Sequence, residues 1–153
     1  MAVCYFDASA LAKLYLAETG SAWVRSLPGT NQVVISTIVI VEVATALRRR
    51  SREGELSPAE ARTLFVTLLD DVSRFDVVDA SSDLLRTAAA RSFDVLSVPL
   101  RALDAIHLAA ARQSFILSRR AESDGFVVVA SDKRLIAAAR AAGLRVENPE
   151  DHA

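Results

Sequence analysis

Short, unbroken apolar runs along the chain alternate with longer stretches in which apolar and polar residues recur at helical spacing. Five of the runs have the length of buried strands, and they cover residues 2–6, 32–35, 75–78, 126–130 and 144–147. Strands that alternate with helices form a mostly parallel sheet covered on both faces. The pattern therefore predicts one α/β domain over residues 1–153, with a central sheet of about four or five strands flanked by helices.

The stretches between the runs carry recognisable helix ends. Ser57 and Pro58 predict one helix start, with a serine cap, a proline in the first position and Glu60 three residues after the cap. Pro99 is expected to open another helix, and Gly143 to close the last one. The predicted helices cover residues 8 to about 20, 21–27, 37–52, 58–73, 82–93, a stretch from 99 onward, and 132–142.

Residues 37–52 are the ambiguous stretch. Residues 37–41 are all β-branched, which favours a strand on propensity alone. Ser36 can cap a helix, however, and Ala44, Ala46 and Leu47 are compatible with one. We predict a helix here.

Composition narrows the class of protein. The chain is 52% hydrophobic and only 6% aromatic, which predicts an aliphatic core that needs no disulfide or structural metal. Cys4 is the only cysteine and lies in an apolar run, so we expect a buried thiol. No signal peptide or membrane-spanning run is evident, and we expect a cytoplasmic protein. The net charge of −1 argues against a nucleic-acid coat protein but not against an RNA enzyme with a local basic rim.

Four of the 19 acidic residues stand in unusual surroundings. Asp7 ends the first predicted strand, and Asp132 follows the fourth by two residues, so both point to the carboxyl edge of the sheet, where open α/β sheets bind ligands. Glu42 and Asp104 interrupt apolar helical stretches, and neither lies near a predicted helix start. Asp7 or Asp132 alone could simply cap a helix.

Together the four acids predict a metal site. A carboxylate in apolar surroundings is costly unless it is paired or bound to a cation, and converging carboxylates repel one another. A divalent ion removes that conflict. Oxygen ligands without cysteine or a convincing histidine pair favour Mg²⁺ or Mn²⁺ over Zn²⁺.

The residues around these acids also resemble a known family. The segments are 5–11 (YFDASAL), 36–43 (STIVIVEV), 103–109 (LDAIHLA) and 128–135 (VVASDKRL), in this order along the chain. They are similar to the motifs of PIN-domain ribonucleases, especially the VapC-type toxins of type II toxin–antitoxin pairs. The resemblance covers nearly the whole chain and implies a PIN-like three-layer fold.

The resemblance implies a metal-dependent endoribonuclease that cleaves a structured RNA and leaves a 5′-phosphate and a 3′-hydroxyl. Asp7 and Asp104 would hold Mg²⁺ or Mn²⁺ most directly, and Glu42 and Asp132 would complete the site or bind through water. Water activated by the ion would be the nucleophile. A cognate antitoxin and a homodimer are further implications of the resemblance.

Two features depart from the family. A hydroxyl residue often stands two positions before the fourth acid, whereas this chain has Ala130 there and Ser131 next to it. Residues 113–125 also form a longer stretch than the family usually has.

Several neighbouring residues admit two interpretations. Ser9 either supports Asp7 by a hydrogen bond or is an ordinary first-turn serine. His107, one turn after Asp104, either faces the acids or is a partly buried helix residue.

Arginines provide candidate RNA contacts. Arg101 precedes Asp104 by one turn and is the arginine favoured for a phosphate. Arg119 and Arg120 lie in residues 117–122, a segment expected to form a mobile basic loop over the cleft.

Other functions of doubly wound α/β domains would need residues that this chain lacks. An aspartyl-phosphate phosphatase would need a second aspartate where Ser9 stands, a receiver domain would need a better-placed lysine than Lys133, and a dinucleotide enzyme would need a glycine-rich loop after the first strand. The stronger alternatives are a catalytically weak PIN-like protein-binding module and an RNA-processing nuclease outside a toxin–antitoxin system.

Overall fold

A parallel five-stranded sheet forms the centre of the molecule. The structure is a computed structural model and describes residues 1–95 and 97–152. The strands are β1 (Val3–Phe6), β2 (Gln32–Ser36), β3 (Asp76–Val78), β4 (Phe126–Val129) and β5 (Val146–Glu147), in the spatial order β3-β2-β1-β4-β5. All four strand pairs are parallel. Each of the five predicted strands is confirmed, with ends that differ by one or two residues.

Seven α-helices in the described part of the chain surround this sheet. They are α1 (Ala8–Tyr15), α2 (Ser21–Ser26), α3 (Ile38–Arg52), α4 (Pro58–Val72), α5 (Ser82–Arg91), α6 (Ala102–Arg120) and α7 (Lys133–Ala141). Short 3-10 helices cover Ser92–Val95 and Pro149–His152. No helix within residues 1–95 and 97–152 combines the length and apolar character needed to cross a membrane.

Two helix predictions are confirmed by local geometry. Helix α4 begins with the expected capping box, in which the Ser57 hydroxyl accepts from the Glu60 backbone N–H and the Glu60 carboxylate accepts from the Ser57 N–H. The ambiguous stretch is helical as α3, despite its β-branched start. Its residues Val39, Val43 and Leu47 recur at helical spacing and are buried, so packing of this face outweighs intrinsic propensity.

Two helix boundaries were predicted wrongly. Helix α1 ends at Tyr15, because Leu16 is extended and the chain turns before Gly20. Helix α6 begins at Ala102, three residues after Pro99, and continues to Arg120. The segment 117–122, expected to be a mobile loop, is therefore mostly the last turn of α6.

The core has two halves, one on each face of the sheet. Alternate residues of β1 point to opposite faces, with Tyr5 in the half formed by α5, α6 and α7 and Phe6 in the half formed with α1, α3 and α4. The chain order reverses beside β1, since β2 lies on one side of it and β4 on the other. The carboxyl ends of β1 and β4 therefore flank a topological switch point, where such sheets bind ligands.

Candidate active site

Asp7 lies directly after β1 and is the N-cap of α1. Its side chain is buried, and its Oδ1 accepts the Ala10 N–H at 2.9 Å. Burial raises the pKa of this carboxyl above its ordinary value, as does the charge of Glu42. His107, the Ala10 N–H and the Ser9 hydroxyl lower the pKa only in part. The capping interpretation is correct, but capping alone does not explain a carboxylate buried beside another acid.

Ser9 connects the ends of the two central strands. Its hydroxyl lies 2.7 and 2.8 Å from the two carboxylate oxygens of Asp7, to which it donates, and it accepts the Ser131 N–H at 2.8 Å. Because Ser131 follows β4, this one side chain ties the ends of β1 and β4 together. The Ser131 hydroxyl itself is buried and has no hydrogen-bond partner among the described residues.

Glu42 is held by a buried histidine from the opposite layer. His107 Nε2 lies 2.8 Å from Glu42 Oε2, and His107 Nδ1 lies 2.8 Å from the Tyr5 hydroxyl. An ionised Glu42 can only accept, so Nε2 carries the proton, and in the neutral imidazole Nδ1 accepts from Tyr5. The chain of hydrogen bonds runs from β1 through α6 to α3 and fixes the direction of the Glu42 carboxylate.

Opposing influences act on His107. Burial lowers its pKa, but the hydrogen bond to Glu42 and the charges of Asp7, Glu42 and Asp104 outweigh burial, so its pKa lies above the ordinary value. Of the two interpretations of this residue, facing the acids is correct. The spacing of one turn from Asp104 was the signal in the sequence.

Asp104 lies in the first turn of α6, which corrects the expectation that it is remote from a helix start. Its Oδ2 accepts the Arg101 backbone N–H at 2.9 Å, as the third helical residue of a capping arrangement does. The sequence-based prediction was wrong because Pro99 was taken as the first helical residue. A capping role thus accounts for one oxygen of Asp104.

Asp132 is the N-cap of α7. Its Oδ1 accepts the N–H groups of Arg134 and Leu135 at 2.9 and 3.1 Å. The helix positions the carboxylate beyond the end of β4, on the same edge as Asp7. As with Asp104, one oxygen serves the helix.

A single open cavity of about 680 Å³ brings the four acids together. Its lining includes all four carboxylates with Ser9, His107 and Ser131. Glu42 Oε1, Asp104 Oδ1 and Asp132 Oδ2 accept no hydrogen bond from the described residues. The structure places Asp7 and Asp132 at the carboxyl edge of the sheet, as expected from their strands, and brings Glu42 and Asp104 to the same cavity.

The donor set suits a hard divalent cation. Within the described residues, no group of three or more His, Cys, Asp or Glu side chains is arranged to hold a metal ion. Mg²⁺ usually keeps several waters and takes one or two carboxylates plus substrate phosphates, so an open arrangement of carboxylate oxygens fits it better than a closed cage would. Because the described residues that line the cavity offer no sulfur ligand, a softer metal is disfavoured.

The predicted arginines do not line this cavity in the described residues. Arg101 is exposed at the rim, next to the start of α6. Arg119 and Arg120 lie at the far end of that helix, Arg119 about 22 Å from Asp104 along the axis at about 1.5 Å per residue, and Arg119 packs over the Phe115 ring. The expectation that these two arginines cover the cleft is therefore wrong.

Sequence reasoning did not place Lys13 at the basic end of the cavity. Lys13, Arg49 and Arg50 line it together with Glu18 and Glu150. Lys13 stands four residues after Ser9, so both lie on one face of α1, and that spacing was available in the sequence. The cavity thus has an acidic end at the sheet and a mixed, more basic end beyond it.

The sequence and the fold are similar to those of several known proteins. The family model described as the PIN domain matches residues 4–141. The chain is 32% identical to Ribonuclease VapC45 of Mycobacterium tuberculosis over 152 residues, which cover 95% of both proteins. Its fold is similar to that of Mycobacterium tuberculosis VapC20, a toxin that cleaves the sarcin–ricin loop, with a TM-score of 0.61 at 20% identity over 88% of this chain and 94% of that one. It is also similar to a chain of a toxin–antitoxin complex from Klebsiella pneumoniae, with a TM-score of 0.60 at 20% identity over 95% and 97% of the two chains.

Proposed function

This chain belongs to the PIN-domain family, and from that membership we propose that it is a Mg²⁺- or Mn²⁺-dependent endoribonuclease, the toxin of a toxin–antitoxin pair. The observation that carries the proposal is the convergence of Asp7, Glu42, Asp104 and Asp132 on one cavity at the switch point of the sheet. The similarity to a VapC ribonuclease along nearly the whole chain supports the same function.

The four carboxylates have distinct positions in the proposed reaction. Asp7 and Asp104 would hold the ion most directly, and Glu42 and Asp132 would complete the site or bind through water. When bound, the ion would neutralise charge on the phosphate and make water a nucleophile near neutral pH. Water adds to phosphorus, the bond from phosphorus to the 3′-oxygen breaks, and that oxygen takes up a proton. The products are a 5′-phosphate and a 3′-hydroxyl.

The protein itself contributes pre-organisation. His107 orients the Glu42 carboxylate, and Ser9 orients that of Asp7, so neither has to be ordered when RNA arrives. The buried position of Asp7 limits the water around it and strengthens its attraction to a cation. These hydrogen bonds hold the carboxylate oxygens in the direction in which they would bind the ion.

An antitoxin and a second copy of the chain are the proposed partners. The similarity to a toxin–antitoxin complex supports the first, and the second follows from the family resemblance. Light scattering on the purified protein measures the oligomeric state, and co-purification with the product of an adjacent gene tests the antitoxin.

The deciding experiment incubates the purified protein and its Asp104→Asn variant with a pool of structured RNAs, in Mg²⁺ or Mn²⁺ and in chelator. We expect cleavage by the unaltered protein only with metal, and none by the variant. Cleavage that survives in Asp104→Asn would refute the site. If neither protein cuts, Mn²⁺ titration calorimetry separates a selective nuclease, which binds the ion, from a protein-binding module, which does not.

A further inference from the structure

Lys13 is a buried cation inside the cavity of the candidate site. Its side chain is 3% exposed, and it lies on α1 two turns beyond Asp7, about 9 Å along the helix axis. Buried lysines are rare unless their charge is compensated. Lys13 lies on the cavity wall at the end away from the sheet, so its positive charge needs a negative partner there.

The protein satisfies this ammonium group only in part. Nζ donates to Glu18 Oε2 at 3.2 Å, and the next acid, Glu150, is 3.9 Å away, which is beyond hydrogen-bond range. An ammonium group has three donors, and a single one has an acceptor among the described residues. Glu18 is moreover already paired with Arg50, so it does not need Lys13 to balance its charge.

A second cation faces the same space. Arg49 lines the cavity from α3, is exposed, and forms no ion pair or side-chain hydrogen bond within residues 1–95 and 97–152. Three cations and two acids line this end, against four acids at the sheet end. If an anionic strand spanned the cavity, its reacting group would therefore lie at the acidic end. A further negative charge of the strand would lie near Lys13 and Arg49.

Glu150 is held at the edge of this region by close packing. The backbone oxygen of Pro149 lies so near Gly20 that a Cβ there would come within 2.1 Å of it, and Gly20 has a positive φ of 81°. The His152 ring stacks on Trp23 with centroids 4.0 Å apart. The C-terminal 3-10 helix is thus fixed with its Glu150 carboxylate near Lys13, where it competes with any incoming anion.

We propose that Lys13 and Arg49 form a binding site for a second backbone phosphate of the RNA, neighbouring the one that the four acids address. The inference rests on the proposed ribonuclease function and assigns the direction in which the strand crosses the cavity, from the sheet edge along α1 toward α3. Lysine and arginine both bind phosphate oxygens, and such contacts position a strand without reading its sequence.

Salt dependence of RNA binding tests this site separately from catalysis. The probe is a short fluorescent oligouridylate, and binding is measured by anisotropy over a KCl series in EDTA on the Asp104→Asn background, which cannot cleave it. Each phosphate contact to a single strand contributes about 0.7 to the slope of log K against log salt. We expect Lys13→Met and Arg49→Gln each to lower the slope by about that amount.

Arg48→Gln is the matched control. Arg48 is the neighbouring arginine on α3, is also exposed, and faces the groove between α3 and α4 instead of the cavity. Its substitution should leave the slope unchanged, while Glu150→Gln should tighten binding by removing a competing charge. If Lys13→Met does not fold, the slope measured for Arg49→Gln alone decides whether the phosphate site exists.

The outcomes separate the two proposals. Slopes for Lys13→Met and Arg49→Gln that equal the slope for Arg48→Gln, or no binding of the probe by any variant, would overturn the phosphate site. Metal-dependent cleavage by the unaltered protein would still uphold the nuclease in that case. Conversely, altered slopes with neither cleavage nor Mn²⁺ binding by the unaltered protein would uphold the phosphate site and remove the nuclease.

Discussion

His107 and Glu42 meet across the cavity, with Nε2 and Oε2 2.8 Å apart, although they are 65 positions apart in the chain. The contact joins α6 to α3 and leaves the second oxygen of Glu42 free of hydrogen bonds from the described residues. A histidine that orients a carboxylate in this way supports a metal site indirectly, because it acts on the ligand and not on the ion.

Loss of the His107 hydrogen bond should weaken metal binding. We expect His107→Leu to reduce Mn²⁺ affinity by about 10- to 100-fold, because Glu42 loses its fixed direction. His107→Gln keeps an N–H near the position of Nε2 and should recover part of that affinity. Calorimetric titration measures both, and urea unfolding verifies that the variants fold. Equal affinity in His107→Leu and the unaltered protein would contradict a positioning role.

Tyr5→Phe tests the outer end of the same chain of hydrogen bonds. It removes only the hydroxyl that contacts His107 Nδ1. We expect a smaller loss of Mn²⁺ affinity than in His107→Leu and a fall of about 1 kcal/mol in the free energy of unfolding. A loss as large as that of His107→Leu would mean that Tyr5 controls the histidine orientation completely.

The buried Asp7 carboxyl should lower the free energy of unfolding near neutral pH when no metal is bound. Its folded-state pKa is raised above the ordinary value of 3.8, chiefly by burial, so the folded state holds the proton more tightly than the unfolded state does. Stability therefore falls as the pH rises from 3.8 through the folded-state pKa, and stays lower above it. The penalty is about 1.4 kcal/mol for each pH unit between the two pKa values.

Asp7→Asn should remove this penalty, because asparagine also caps helices and carries no charge. Urea unfolding in EDTA should show the variant to be more stable than the unaltered protein near neutral pH and no more stable in acid. Asp79→Asn is the control, since Asp79 also follows a strand but is exposed. A variant less stable than the unaltered protein near neutral pH would contradict the argument.

Ser9 should contribute to both stability and activity. Ser9→Ala leaves the Ser131 N–H without its acceptor and Asp7 with only the Ala10 N–H as a donor, so we expect the free energy of unfolding to fall by about 1–3 kcal/mol and cleavage to slow. Ser131→Ala is a close comparison, because that hydroxyl has no hydrogen-bond partner in the part of the chain that the structure describes, and its removal should not destabilise the protein. Equal effects of the two substitutions would exclude a special role for Ser9.

Overproduction should arrest growth if the chain is a toxin. We expect arrest when the unaltered protein is expressed without a partner, and normal growth with Asp104→Asn at the same protein level. Growth curves and immunoblots measure the two quantities. Harmless accumulation of folded, unaltered protein would favour an RNA-processing nuclease outside a toxin–antitoxin pair.

The sequence by itself determined the elements and the edge of the sheet that carries the site. Apolar runs located all five strands, and the capping pattern at Ser57 located the start of α4. Asp7 and Asp132 could be assigned to one edge because both follow strands, and parallel strands end at the same side. These features are local, or depend only on the direction of strands, so spacing along the chain suffices to find them.

Only the tertiary structure decided which side chains meet within that site. The pairing of His107 with Glu42, the link from Ser9 to Ser131 and the position of Lys13 on the cavity wall all join different elements. Such contacts depend on the strand order and on how each helix is rotated against the sheet, and neither is encoded in local periodicity. For the same reason the position of Arg119 could not be read from sequence: its distance from the acids depends on where α6 begins and in which direction the helix runs.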